Sequence, residues 1–446
     1  MSPTTANQGV PDARSEAILK GIANPSNLLD VAEAYLRQIV APRASEIDQD
    51  TDALRTALKG LGDRNLLALK VPQDWGGAEV NPVTFSHFQQ HVSRYSGALA
   101  FLQTQHQSAG GFLAKSDNEA LKQQYLPRMG RGEALVGVGF SQLRRTGNPP
   151  VKATPVDGGY QISGNVPWVT GFGLFEDFVI GATLPDGREL YGIVPFTSTE
   201  QGVGSAIAFS EPMVLAAMNS TNTVSASLTN WFLSHESVLF LRKAGAIHET
   251  DRKNVLNHGF FALGCAKAGL DIIAAAYQRK QLGFIQNAFN ALTAEVCDCE
   301  AAMIAALSAN SADTEDGGDR EDRGDEGGFR NIRVTTNDNS ETRPYMGKKR
   351  PQSLQLRAWA INLAGRCTNA AVTVSSGAAN LQSHAAQRVY REAVVFTVSG
   401  QTTAVMEATL ACLGAGGAGG AGEAGGAGGA GGAGAAGGAG GVMFQT

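Results

Sequence analysis

Five consecutive residues, Pro167-Trp168-Val169-Thr170-Gly171, combine an aromatic face, a hydroxyl and a glycine. Trp168 can cover a planar ligand, Thr170 can hydrogen-bond it, and Gly171 lets backbone come close. Upstream, Val156-Asp157-Gly158-Gly159 is turn chemistry, and Tyr160 and Ile162 alternate as in a short strand. Ser163-Gly164 reads as a second turn. The stretch therefore predicts a hairpin that delivers Trp168 and Thr170 to a strand end. Metal chemistry has little support. Cys297-Asp298-Cys299 has neither a second cysteine pair nor a nearby histidine.

The elements that must position this pentapeptide follow from composition and pattern. A chain of 446 residues is expected to form two or three domains. The net charge of −5 is uneven. Residues 311–328 hold eight acids and two arginines, net −6, so the rest sums to +1. A near-neutral body argues against nucleic acid as a partner. The cysteines, Cys265, Cys297, Cys299, Cys367 and Cys412, are odd in number and lie in apolar contexts. That pattern fits reduced thiols and a cytoplasmic protein. The sequence contains no long unbroken apolar run, so no membrane span is predicted.

Residues 1–14 are polar and are expected to be a disordered leader, not a signal peptide. Residues 15–134 read as a helical domain, and 135–245 as a β-domain with turns at Asp157-Gly158 and Asp186-Gly187. Residues 246–413 read as a helical bundle whose first long helix covers 254–281. An acidic disordered insertion interrupts the bundle at about 310–350. Residues 414–446 are nearly all Gly and Ala, a composition that forms no core and predicts a mobile tail.

Taken in order, these segments resemble the acyl-CoA dehydrogenases. The family's middle-domain signature, G-x-Y-x-(I/L)-x-G-x-K-x-(W/F)-I-T-N, is met by Gly159, Tyr160, Ile162, Gly164, Trp168, Val169 and Thr170. Val166 stands at its Lys and Gly171 at its Asn. Leu66, Leu69, Val71, Pro72, Trp75, Gly76 and Gly77 match L-x-x-(L/I)-x-V-P-x-x-(Y/F/W)-G-G. Tyr125, Leu126, Pro127, Met129, Gly132 and Glu133 match the Y-L-P-x-(L/M)-x-x-G-E that closes the N-terminal domain. The resemblance implies an α+β fold with an N-terminal helical domain, a central β-domain and a C-terminal four-helix bundle.

It also implies FAD, with FMN as the alternative. Trp168 and Thr170 would lie beside the flavin ring. Ser141 stands where the family has its T-E-P flavin loop, with Arg144 and Arg145 as charge that could meet phosphate. Arg279 stands at the Arg of R-x-x-F-G, without the Phe-Gly. Gln401 and Thr402 fall in the element matching (I/L)-Y-E-G-T-(S/A) and inherit a cofactor contact. The catalytic Glu of that element falls on Gly400 or, one residue over, on Ser399. A subset of the family carries its Glu on the first C-terminal helix, near His258 here. Neither place holds an acid. Related flavin monooxygenases lack the Glu and use His and Ser/Thr hydroxyls with reduced flavin and O2, for which His106, His258, Ser141 and Thr170 are candidates. The implied partners are a small hydrophobic substrate such as an acyl thioester, a second copy in a homodimer or homotetramer and, in the monooxygenase reading, a flavin reductase. A flavin-free scaffold is the third reading.

Overall fold

The computed structural model describes residues 25–315 and 350–414, with side chains over 27–309 and 352–414. The expected leader, most of the acidic insertion and the Gly/Ala tail lie outside the described residues.

The described residues begin with α1 (Pro25–Tyr35), which continues through a π-helical turn (Leu36–Val40) and a 3-10 turn (Ala41–Arg43) into α2 (Ala44–Ile47). Four helices complete the N-terminal part: α3 (Thr51–Gly62), α4 (Pro82–Tyr95), α5 (Gly97–Ala114) and α6 (Glu119–Met129). Each starts on a side-chain cap, which satisfies an otherwise orphaned first-turn N–H. Asp50 accepts from Ala53 N at 2.7 Å, Asn81 from Thr84 N at 2.8 Å, Ser96 from Leu99 N at 3.3 Å and Asn118 from Leu121 N at 3.2 Å.

The β-domain follows: β1 (Val136–Gly139), β2 (Val151–Val156), β3 (Gly159–Val169), β4 (Asp177–Thr183), β5 (Glu189–Pro195), β6 (Thr199–Gly202), β7 (Ser205–Phe209), β8 (Val224–Ser234) and β9 (Val238–Arg242). They form one sheet in the order β6-β7-β8-β3-β2-β4-β5-β9, and β1 lies parallel to β4. Both Asp-Gly pairs turn the chain where the sequence indicates. Asp157-Gly158 joins β2 to β3, and Asp186-Gly187 lies between β4 and β5. Ser163-Gly164 is not a turn. β3 runs straight through it as a bulge, with a register shift against β8 and φ +137° at Gly164. A Cβ there would stand 2.1 Å from Pro150 O, so only glycine lets β3 lie this close to the start of β2.

The C-terminal part holds α7 (Ala246–Lys253), α8 (Gly259–Lys280), α9 (Gly283–Glu315), α10 (Arg350–Ser375), α11 (Ala385–Val398) and α12 (Thr403–Gly414). The expected helix over 254–281 starts later, at Gly259, after a loop containing Asn254 and Asn257. α8 is apolar and long enough to cross a membrane by composition, but 72% of its apolar window is buried among the other helices. Its small residues let neighbours approach. Gly264 packs on Ser93 of α4, and Gly269 on the Cys367 backbone of α10. A two-pronged ion pair from Arg94 to Asp271, at 2.8 and 2.7 Å, ties α4 to α8. The main core runs without a break from α1 through the sheet into α8, α10 and α11. This fixes the end of β3, the start of α8 and the α11–α12 junction within one packed body.

Candidate active site

α11 ends at Val398, and the chain then turns sharply. Ser399 is extended, at φ −67° and ψ 125°, and Gly400 is left-handed, at φ +58°. Thr402 restarts the helix by accepting from Val405 N at 3.3 Å. This break aims Ser399 at the residue preceding α8: His258 Nδ1 lies 3.0 Å from Ser399 Oγ. The ring also meets Phe261 edge-on at 5.7 Å, and Phe261 stacks on Phe396 at 5.2 Å and 10°. Among the described residues, Nε2 of His258 has no hydrogen-bond partner.

Arg357 of α10 binds the two segments together. It is 3% exposed. Its Nη2 donates to Ser399 O at 2.7 Å and Gly400 O at 3.1 Å, and its Nη1 to Val255 O at 3.2 Å. Its Nε has no partner among the described residues. Beside it, Arg144 and Asp251 form a two-pronged pair at 2.7 Å. Burial, with Arg357 and then Arg144 nearby, pushes the His258 imidazole down to about 3. Burial also lowers Arg357, to about 10. The ring is thus neutral at ordinary pH, and the charges that reach it are positive.

The two segments aligned with the alternative positions of the family's Glu are therefore neighbours in space. The room for a carboxylate at 400 is taken. A Cβ on Gly400 would stand 2.6 Å from His258 Nε2, and φ +58° disfavours any side chain there.

Two of the flavin-side candidates, Trp168 and Thr170, stand at the end of β3. Thr170 is buried, with Oγ1 3.1 Å from Thr223 Oγ1. The row continues through Thr221 Oγ1, 3.2 Å on, which donates to Met218 O. Trp168 is 50% exposed, high for an indole. Ser141 opens the turn Ser141–Arg144 and is partly exposed. Arg279 is exposed in the last turn of α8, and Gln401 is partly exposed.

Three expectations need correction. His106 is fully buried in α5, and both its ring nitrogens are bonded to main chain. Nδ1 accepts from Val136 N at 3.1 Å, and Nε2 faces Met129 O at 3.1 Å. Burial holds it down to about 4, so it is a neutral tie between α5, α6 and β1 with no nitrogen left for a ligand. Arg144 is held by Asp251, not free for phosphate. The Thr402 hydroxyl serves as the cap of α12.

Sequence reasoning missed Arg357. Its signal was an arginine set between Leu356 and Ala358, on a helix read only for its apolar face. It also missed the buried pair within α11. There Arg388 Nη1 reaches both Glu392 oxygens at 2.8 and 2.9 Å, and Glu392 accepts from Gly97 N at 3.1 Å.

Comparison with known proteins agrees with this architecture. Residues 25–133 match the family described as acyl-CoA dehydrogenase, N-terminal domain. The mitochondrial isovaleryl-CoA dehydrogenase of Oryza sativa subsp. japonica is 26% identical over 279 residues, covering 59% of this chain and 66% of that protein. The 3-(aryl)acrylate reductase of Clostridium sporogenes is 24% identical over 284 residues, covering 62% and 74%. The chain thus spans about two thirds to three quarters of these relatives. A glutaryl-CoA dehydrogenase from Mycobacterium smegmatis, solved with FADH2, shares the fold at TM-score 0.68 and 14% identity, over 87% of this chain and 94% of that one. Residues 25–133 therefore match the acyl-CoA dehydrogenase N-terminal domain, and the chain shares the fold of solved acyl-CoA dehydrogenases.

Proposed function

We propose that the chain is a cytoplasmic, FAD-dependent oxidoreductase of the acyl-CoA dehydrogenase type in which His258, held by Ser399, does the proton work of the missing Glu. The observation that carries this reading is the 3.0 Å contact between His258 Nδ1 and Ser399 Oγ. It joins the two segments that resemble the family's alternative base positions.

The residues present fit a flavin. The half-exposed Trp168 offers a flat face beside the hydroxyl row of Thr170 and Thr223. Ser141 and Gln401 offer polar groups, and Arg279 an exposed guanidinium for a diphosphate. When bound, FAD supplies the two-electron acceptor for a CH–CH bond α,β to a carbonyl. The protein does the rest. Trp168 and Thr170 hold and orient the ring. With Nδ1–H donated to Ser399, His258 Nε2 takes the proton leaving the α-carbon. The buried Arg357 keeps Ser399 and Gly400 where that geometry needs them.

Cytoplasmic placement is supported by the cysteines, none of which is in a disulfide. Assembly as a homodimer or homotetramer is supported by apolar side chains left open on α11 and α12, among them Val394 at 50%, Val398 at 56% and Leu410 at 63% exposed. The substrate is a small hydrophobic acyl thioester or a related saturated free acid, whose α,β-unsaturated form is the product. The named substrate class of the Clostridium relative, an arylacrylate, supports the second form.

The test is an absorption spectrum of the purified protein titrated with FAD and FMN, then with acyl-CoA. FAD binding followed by bleaching supports the reading. Failure to bind either oxidised flavin overturns it. Then two readings compete: a monooxygenase fed reduced flavin by a reductase, or a flavin-free scaffold. The carboxylate-free His258–Ser399 pair favours the monooxygenase.

A further inference from the structure

We infer that the cleft between α3 and the segment joining α6 to β1 is a binding site for an amphipathic monoanion, a free carboxylic acid with an apolar tail. The cleft shares no residue with the His258–Ser399 pair or with Trp168 and Thr170, so the inference stands apart from the oxidoreductase reading.

The cleft has a volume of about 620 Å³, the size of a small-molecule site. One wall is a face of α3, on which Arg55, Leu58, Lys59 and Gly62 recur at helical spacing. The opposite wall is the chain from Arg131 to Leu135. The walls meet at Gly62. A Cβ there would stand 2.6 Å from Arg131 O, so only glycine lets them close. Leu58, Leu67 and Leu135 supply apolar lining.

The lining charges are unequal. Arg55, Lys59 and Arg131 face Asp63 and Glu133, three against two, for a net charge of +1. Lys59 is matched by Asp63 at 2.6 Å, and Arg131 by Glu133 at 2.8 and 3.3 Å. Arg55 differs. Its acid, Asp52, does not line the cleft and is 87% exposed. An exposed pair of that kind contributes little to stability, so it is readily exchanged. Nη2 of Arg55 donates to Gly173 O at 2.9 Å, which fixes the guanidinium, and Nη1 is the atom that Asp52 holds. A ligand carboxylate takes the place of Asp52 on Nη1. Unlike Asp52, it brings a tail that covers the leucines. A cationic ligand finds both lining acids already matched, and a neutral one leaves Arg55 with Asp52. One cation without an acid on the wall selects one negative charge.

The probes are octanoate, octylamine and acetate, measured below micellar concentration by isothermal titration calorimetry on the full chain. Octylamine keeps the tail with the opposite charge, and acetate keeps the charge without the tail. Octanoate is expected to bind at least ten-fold more tightly than either. Arg55→Gln is expected to weaken octanoate at least five-fold with the urea midpoint unchanged. Lys59→Gln, which removes a matched cation, is expected to change octanoate affinity less than two-fold. Octylamine binding as tightly as octanoate would show that the tail alone is recognised and overturns the inference. Acetate binding as tightly would show that the leucines play no part, with the same result. Octanoate affinity unmoved by Arg55→Gln, or lowered equally by Lys59→Gln, removes Arg55 as the anchor and overturns it too.

Discussion

His258 Nδ1 lies 3.0 Å from Ser399 Oγ, although 141 residues separate the two in sequence. The contact exists because α11 breaks at Ser399 and because Arg357 holds the broken backbone by two carbonyls. The pair stands where α8 starts and α11 ends, so movement of either helix would part it.

Gly400 is the hinge of that break, and its replacement by alanine tests the geometry. The left-handed φ of +58° and a Cβ 2.6 Å from His258 Nε2 both oppose a side chain. Gly400→Ala is expected to cost on the order of 1–3 kcal/mol. The shift of the urea midpoint measures it. An unchanged midpoint would show that the junction relaxes freely.

His106 and pH form a second test. Its folded-state value of about 4 lies below the unfolded value of 6.5. The unfolded chain therefore binds the extra proton first as pH falls. The neutral, buried ring's contribution is full above pH 6.5 and is lost between 6.5 and 4. The loss should approach roughly 3 kcal/mol. His106→Gln should flatten that part of the stability-versus-pH curve. If wild type and variant show the same slope there, His106 is not the group responsible.

Trp168 and Thr170 should separate by what they affect. Trp168→Ala removes a half-exposed ring, so folding stability should change by less than about 0.5 kcal/mol. FAD affinity should fall at least ten-fold under the proposed function. Thr170→Val breaks the hydroxyl row and should cost about 1 kcal/mol of stability as well as weakening FAD. Unfolding curves and flavin titrations on both variants decide it. Unaltered FAD affinity in both would remove the end of β3 from the cofactor site.

Glu392 tests the buried pair. It is fully buried, bonded to Arg388 and to Gly97 N, and its removal leaves a buried guanidinium unpaired. Glu392→Ala should cost about 3–5 kcal/mol. A loss below 1 kcal/mol would mean that water or Asp48 takes over its role.

How far the sequence reached can be judged residue by residue. The helical patterns, both Asp-Gly turns and the order of the three parts could be read because they depend on neighbours in sequence. Ser163-Gly164 misled because a turn and a bulge draw on the same residue types. Only the pairing of β3 with β8 on both sides of the shift at Gly164 distinguishes them. His106 misled for a related reason, since a lone histidine gives no sign of whether backbone will claim both its nitrogens.

By itself, the sequence determined the local elements, the absence of an acid at the expected base positions and the presence of Trp168, Thr170, His258 and Ser399. Those depend on residue type and spacing alone. Tertiary structure decided which of these act together. It closed His106 inside the N-terminal domain, took Arg144 out of reach with Asp251, and brought Arg357 from a third helix to join His258 and Ser399. The physical reason is that a hydrogen bond needs two groups within about 3 Å. Separations of 42 and 141 residues, as for Arg357 and His258 with Ser399, are bridged only when the packed core fixes where each helix begins and ends.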